Sequence, residues 1–184
     1  MEYKTKNEDI TDYTNGLVSL AILIAETAQK NNKDYFIGGG FAIDFTIGEI
    51  TRNHHDIDFH PLLDDYDWWK TWFLNKGYKI KEPAAAAYPE TCRVKNQNND
   101  SIVDMWPFKI QDNDLLIKYN SDYINAKRHL TELRKIKYNN TEIWIENPER
   151  VLEQKIREAG GESNLRPQDI HDFEVMGKYP LQHA

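Results

Sequence analysis

Two glycines, Gly39 and Gly40, are followed after fifteen residues by Asp56-Ile57-Asp58, and a further carboxylate, Asp104, stands between Val103 and Met105 in a short apolar run. Strand alternation places Asp56 and Asp58 on one face and Ile57 and Phe59 on the other. Two carboxylates sharing a strand face, joined by a third from a neighbouring strand, make an all-oxygen ligand set suited to a hard divalent ion such as Mg²⁺, which keeps waters and takes phosphate oxygens. Phosphoryl transfer needs such a set. One ion neutralises a triphosphate and orients the leaving pyrophosphate, while a second brings an acceptor oxygen in line with the attacked phosphorus. Glycines let backbone N–H groups approach phosphate oxygens, and a helix that follows them offers its positive N-terminus. Arg52, just ahead of the acidic pair, either adds a fixed positive charge against phosphates or pairs with a neighbouring carboxylate. Asp56, Asp58 and Asp104 are therefore the candidate metal ligands and catalytic residues, and Gly39, Gly40 and Arg52 the candidate phosphate holders.

Other residues are read more plainly. His54, His55 and His60 show no recognised zinc spacing, so His54 is expected to support its neighbours structurally. Asp44 is expected to act as scaffold, ordering Arg52 or the glycine loop. Trp68, Trp69 and Trp72 fall on one side of an amphipathic helix and are expected in the core. Trp106, two residues past Asp104, is the better candidate for a cleft wall.

These residues need elements to place them. Helical spacing predicts a helix over 14–32, a short strand over 35–37, and a helix over 41–47 ended by Gly48. A strand is predicted over 56–59 and a helix with an acidic first turn over 64–75. Strands follow at 78–81, 91–96 and 101–108, the last two joined as a hairpin across Asn98-Asn99-Asp100. A second hairpin is predicted over 133–138 and 141–145 around Asn139-Asn140. From Pro148 the pattern is helical, with a Gly160-Gly161 break before a last helix over 167–176. Strands give way to helices near 146–147, which divides the chain into a domain over 1–146 and a helical appendage over 147–184.

Composition limits the partners. At 184 residues and 40% hydrophobic content the chain is long and apolar enough for a sizeable core. Its single cysteine, Cys92, excludes an intrachain disulfide, and residues 1–12 are polar where a secretory signal needs an apolar run, so a cytoplasmic location is expected. The longest apolar stretch, 17–25, is too short to span a bilayer, and no membrane anchor is expected. A net charge of −7 argues against a nucleic-acid backbone as main partner and suits a cationic one better.

The run GGFAIDFTIGEITRNHHDIDF, 39–59, resembles the signature of the polymerase-β-type nucleotidyltransferase superfamily, and especially of the aminoglycoside and lincosamide nucleotidyltransferases of antibiotic resistance. There the paired glycines precede an aromatic-Ala-Ile-Asp stretch and then Thr-Arg-x-His-x-Asp-x-Asp, matched by Phe41, Ala42, Ile43, Asp44, Thr51, Arg52, His54, Asp56 and Asp58. The aromatic is Phe41 where Trp is expected, and residues beyond Phe108 match no antibiotic-binding pattern. The family's third carboxylate, metal ligand or base for the acceptor hydroxyl, matches Asp104. Near the C-terminus Lys155 and Arg166-Pro167-Gln168-Asp169 look similar, so Lys155 is carried as a candidate nucleotide contact, although a lysine there more often lies along the surface.

The resemblance implies an α+β nucleotidyltransferase fold, a small mixed or antiparallel sheet flanked by helices with a short C-terminal helical subdomain. It implies Mg²⁺-dependent transfer of a nucleoside monophosphate, AMP in the first instance, from an NTP, ATP foremost, to a hydroxyl of a small molecule such as an aminoglycoside or lincosamide. A homodimer completing the cleft is left open. So are two other classes: a toxin-antitoxin nucleotidyltransferase modifying RNA or protein, for which the acidic chain shows no basic groove, and a non-catalytic nucleotide-binding relic, against which the three retained carboxylates stand.

Overall fold

The computed structural model describes residues 9–81, 83 and 87–177. Helix α1 (Asp12–Asn31) starts where the Thr11 side chain accepts from the Thr14 N–H, and it stops at Asn32, whose φ of 50° is left-handed. Its inner stripe, Leu17, Leu20, Ala21, Ile24 and Ala28, is buried. After β1 (Tyr35–Ile37) comes α2 (Gly39–Ile47), closed by Gly48 at a φ of 93°. Then follow β2 (Ile57–Pro61), α3 (Tyr66–Asn75), β3 (Tyr78–Lys81), β4 (Cys92–Asn96) and β5 (Ile102–Met105). The predicted helix over 64–75 is split, with a 3₁₀ turn at Leu63–Asp65 ahead of α3.

Next come β6 (Lys109–Gln111), β7 (Asp114–Tyr119) and β8 (Asp122–His129), which no sequence pattern announced, then β9 (Arg134–Tyr138) and β10 (Thr141–Ile145). The chain ends in α4 (Pro148–Ala159) and α5 (Pro167–Val175). The β9–β10 hairpin turns as its Asn-Asn pair requires, with Asn139 and Asn140 at φ 46° and 67°.

The main sheet runs β3-β4-β5-β2-β1-β10-β9, and only the β2·β5 and β1·β10 pairs are parallel. It is thus mostly antiparallel, and helices flank it. Trp69 and Phe73 of α3 are fully buried against it and Trp68 and Trp72 are partly buried, so the tryptophans are core residues. A separate antiparallel sheet, β6-β7-β8, sits beside the first. It is held by a small apolar cluster of Phe36, Phe108 and Leu115 with Leu62, Ile117 and Leu133 packed on it. The C-terminal helices α4 and α5 pack on α2. No helix among the described residues is long and apolar enough to cross a membrane.

Candidate active site

Strand register brings two of the three aspartates together. In the parallel β2·β5 pair Asp58 stands opposite Asp104, and in the antiparallel β4·β5 pair Asp104 stands opposite Arg93. Asp56 falls one residue before β2, so it approaches from the loop and not, as its alternation suggested, from the strand itself. Burial, followed by repulsion from Asp56 and Asp104, pushes Asp58 up to about 7, and burial with Asp104 beside it also raises Asp56. These two carboxylates are therefore reluctant to ionise unless a positive charge joins them.

Asp104 differs. The Arg93 guanidinium grips it as a fork, Nε donating to Oδ1 at 2.7 Å and Nη2 to Oδ2 at 2.6 Å. Among the described residues no three His, Cys, Asp or Glu side chains already converge as a cation cage. The donor set is nevertheless all hard oxygen with excess negative charge, which fits a divalent ion such as Mg²⁺.

The glycine turn lies directly above. Gly38 donates its N–H to the Asp58 carbonyl at 2.9 Å. Gly39, the first residue of α2, has a φ of +60°, and a Cβ on it would run into Asp58 Oδ2. A Cβ on Gly40 would strike Arg52 Nη2 and approach His54 Cε1 to 2.8 Å. Gly38, not singled out from the sequence, is as constrained: its Cβ would lie 2.9 Å from both Glu146 Oε2 and His60 Nε2. With glycine as N-cap, the first N–H groups of α2 have no side-chain partner and stay open to an anion.

Arg52 takes its pairing role. Its Nε and Nη2 donate to the two oxygens of Asp172 at 2.7 and 3.0 Å, and Asp172 is 0% exposed. Arg52 Nη1 also lies 3.4 Å from His54 Nδ1, and since arginine only donates, that nitrogen accepts. The His54 proton therefore sits on Nε2 and is given to Asp44 Oδ2 at 2.6 Å. Asp44 Oδ1 accepts from Thr51 at 2.6 Å, so Asp44 orders the 51–54 segment and does not bond Arg52 directly. Burial lowers the His54 pKa, keeping the imidazole neutral between Arg52 and Asp44. Lys155 is not a surface lysine: its side chain is 10% exposed and its Nζ lies 2.8 Å from Asp169 and 3.1 Å from Asp172.

All of this opens on a cavity of about 400 Å³. Gly39, Gly40, Asp56, Asp58, Arg52 and Lys155 are among its lining residues; Asp104, whose oxygens the Arg93 fork holds, is not. Tyr88, Trp106, Ile117, Arg128 and Gln154 line it too. Trp106 packs edge-on against Tyr88 with centroids 5.1 Å apart. Arg128, from the second sheet, pairs through Nε with buried Glu146 and donates from Nη2 to Gln154 at 2.6 Å. Arg93, Arg128, Glu146 and Asp172 carried no motif in the sequence; only the fold brings them to the site.

A sequence model of the aminoglycoside-2''-adenylyltransferase family matches residues 21–146. No curated protein matches the chain in sequence. Among solved structures the fold is similar to the lincomycin-bound lincosamide antibiotic adenylyltransferase LnuA, with a TM-score of 0.70 and 15% identity, covering 94% of this chain and 100% of that one. It is also similar to ANT(2'')-Ia in complex with adenylyl-2''-tobramycin, with a TM-score of 0.66 and 19% identity over 88% of this chain and 87% of that one. A third likeness is to an antigenic nucleotidyltransferase-like protein from Paracoccidioides brasiliensis, with a TM-score of 0.55 and 19% identity over 89% and 76% of the two chains.

Proposed function

The chain belongs to the aminoglycoside-2''-adenylyltransferase family and is a nucleotidyltransferase, and from that premise we propose that it moves the nucleoside monophosphate of a Mg²⁺-bound NTP, ATP foremost, onto a hydroxyl of a small molecule such as an aminoglycoside or a lincosamide. The observation that carries this is the register of β2 against β5, which sets Asp58 beside Asp104 immediately below the glycine turn.

Asp56, Asp58 and Asp104 would hold the divalent ion, which supplies neutralisation of triphosphate charge and a template for the acceptor oxygen. The chain's own groups do the rest. The open N–H groups at the start of α2, with Gly39 and Gly40 leaving room, receive phosphate oxygens. Arg52, Lys155 and the positive end of α2 set a fixed positive field there, and Asp172 keeps Arg52 and Lys155 from swinging away. The aromatic side of the cavity, Trp106 with Tyr88, takes the apolar face of the acceptor. As the acceptor oxygen bonds to the α-phosphorus, the bond to the bridging oxygen breaks and pyrophosphate leaves. Asp104 would hold the ion or take the hydroxyl proton. We assign this chemistry to residues 1–146, with the helices of 147–184 supplying Lys155 and Asp172.

The test is incubation with Mg²⁺, each NTP in turn and a panel of aminoglycosides, lincosamides, RNA and protein acceptors, following pyrophosphate and product mass. One small-molecule acceptor should gain a nucleoside monophosphate in step with pyrophosphate. Labelling of RNA or protein alone would overturn the acceptor class.

A further inference from the structure

We propose that Arg93 is a positioning residue that holds Asp104 in the cation-free site and competes with the divalent cation for it, a role that rests on the metal-binding reading of Asp56, Asp58 and Asp104 above. Register leaves Arg93 facing Asp104 across the β4·β5 pair, and both oxygens of Asp104 are taken by its fork. The guanidinium also lies within electrostatic reach of Asp56 and Asp58.

Two consequences follow from that placement. A positive group bonded to one ligand repels a dication that approaches the same ligand, so cation entry and the fork oppose each other. Without the fork, three crowded carboxylates would repel one another in the empty site. The two partners are unequal in mobility: the Arg93 side chain is 45% exposed and that of Asp104 only 10%. A half-exposed ion pair is weakly held, so Arg93 swings into water at small cost while Asp104 stays on its strand. A cation therefore enters the site against the fork, and binds more weakly than it would without that positive charge.

The experiment is nucleotide-free Mn²⁺ binding by electron paramagnetic resonance, beside thermal melts with and without Mn²⁺, on the parent, Arg93→Gln and Arg93→Met. Met keeps the aliphatic stem along the strand and gives a second removal of the charge should the Gln variant fold poorly. Both variants should bind Mn²⁺ about tenfold more tightly than the parent, the effect of one nearby positive charge discounted for solvent screening. Both should melt lower without cation and gain more from Mn²⁺ than the parent does. Asp58→Asn serves as the control. Unchanged or weaker Mn²⁺ affinity in the Arg93 variants, with binding lost in Asp58→Asn, overturns the role of Arg93 and leaves the metal site standing. Unchanged affinity in Asp58→Asn removes the metal site, and this role with it.

Discussion

Asp58 is buried among like charges, and its pKa of about 7 in the cation-free protein sets a measurable sign. A carboxylate raised above its unfolded value favours folding when protonated, so the advantage is full below the unfolded value near 4 and is lost as pH rises through about 7. The cation-free protein should therefore melt lower at pH 8 than at about pH 5 through this group, and Mg²⁺ should restore more of the melting temperature at pH 8. A melting temperature in which Mg²⁺ has the same effect at both values would show that Asp58 does not meet the ion. Asp58→Asn should remove the Mg²⁺ dependence of ATP binding in calorimetry, because the amide keeps the shape and loses the charge. At this scale the sequence was most legible where partners are close in the chain: Gly39, Gly40, Arg52, Asp56 and Asp58 lie within one short run. Asp172, 120 residues from Arg52, and Arg93, opposite Asp104 only through strand register, had no local signature.

Among the elements, α2 and α5 carry the residues of the proposed phosphate side. Gly40→Val places atoms where Arg52 Nη2 and His54 stand, so ATP affinity should fall roughly tenfold or more in a protein that still folds. Normal affinity in a folded variant would reduce the glycine to a turn residue. The left-handed backbone that excludes other residues belongs to Gly39, not Gly40, a distinction invisible in a Gly-Gly pair. Asp172→Asn leaves Arg52 and Lys155 buried with one negative partner fewer, at a cost of about 3 kcal/mol. Melting should fall by on the order of 10 °C. A loss within about 2 °C would show that the network does not fasten α5 to the 51–54 segment. Helices and the main hairpins were readable because their apolar residues recur and their turns carry Asn or Gly. The β6-β7-β8 sheet was not, because Ile110 and Ile124 are exposed and, among its described side chains, only Leu115 is fully buried, so alternation barely registers.

At the scale of the whole molecule, one cavity is lined both by the 39–59 run with the last two helices, the proposed phosphate side, and by Tyr88, Trp106 and the second sheet, the proposed acceptor side. Within a chain of net charge −7, Arg52 and Lys155 are held by Asp169 and Asp172 on one side of the cavity, and Arg128 is held by Glu146 on the other. In the proposed reaction, transfer turns on Asp104. Asp104→Asn loses the Arg93 fork but also one of three repelling carboxylates, so stability should change by less than about 1 kcal/mol. The decisive measurement is pyrophosphate release by Asp104→Asn and the parent with Mg²⁺-ATP and the best small-molecule acceptor, each variant first shown to be folded and to bind nucleotide. Release should fall at least a hundredfold, since a base alone is worth typically 10²–10⁴ and a lost metal ligand adds to it. A folded, nucleotide-binding Asp104→Asn protein that turns over within a few-fold of the parent would contradict it.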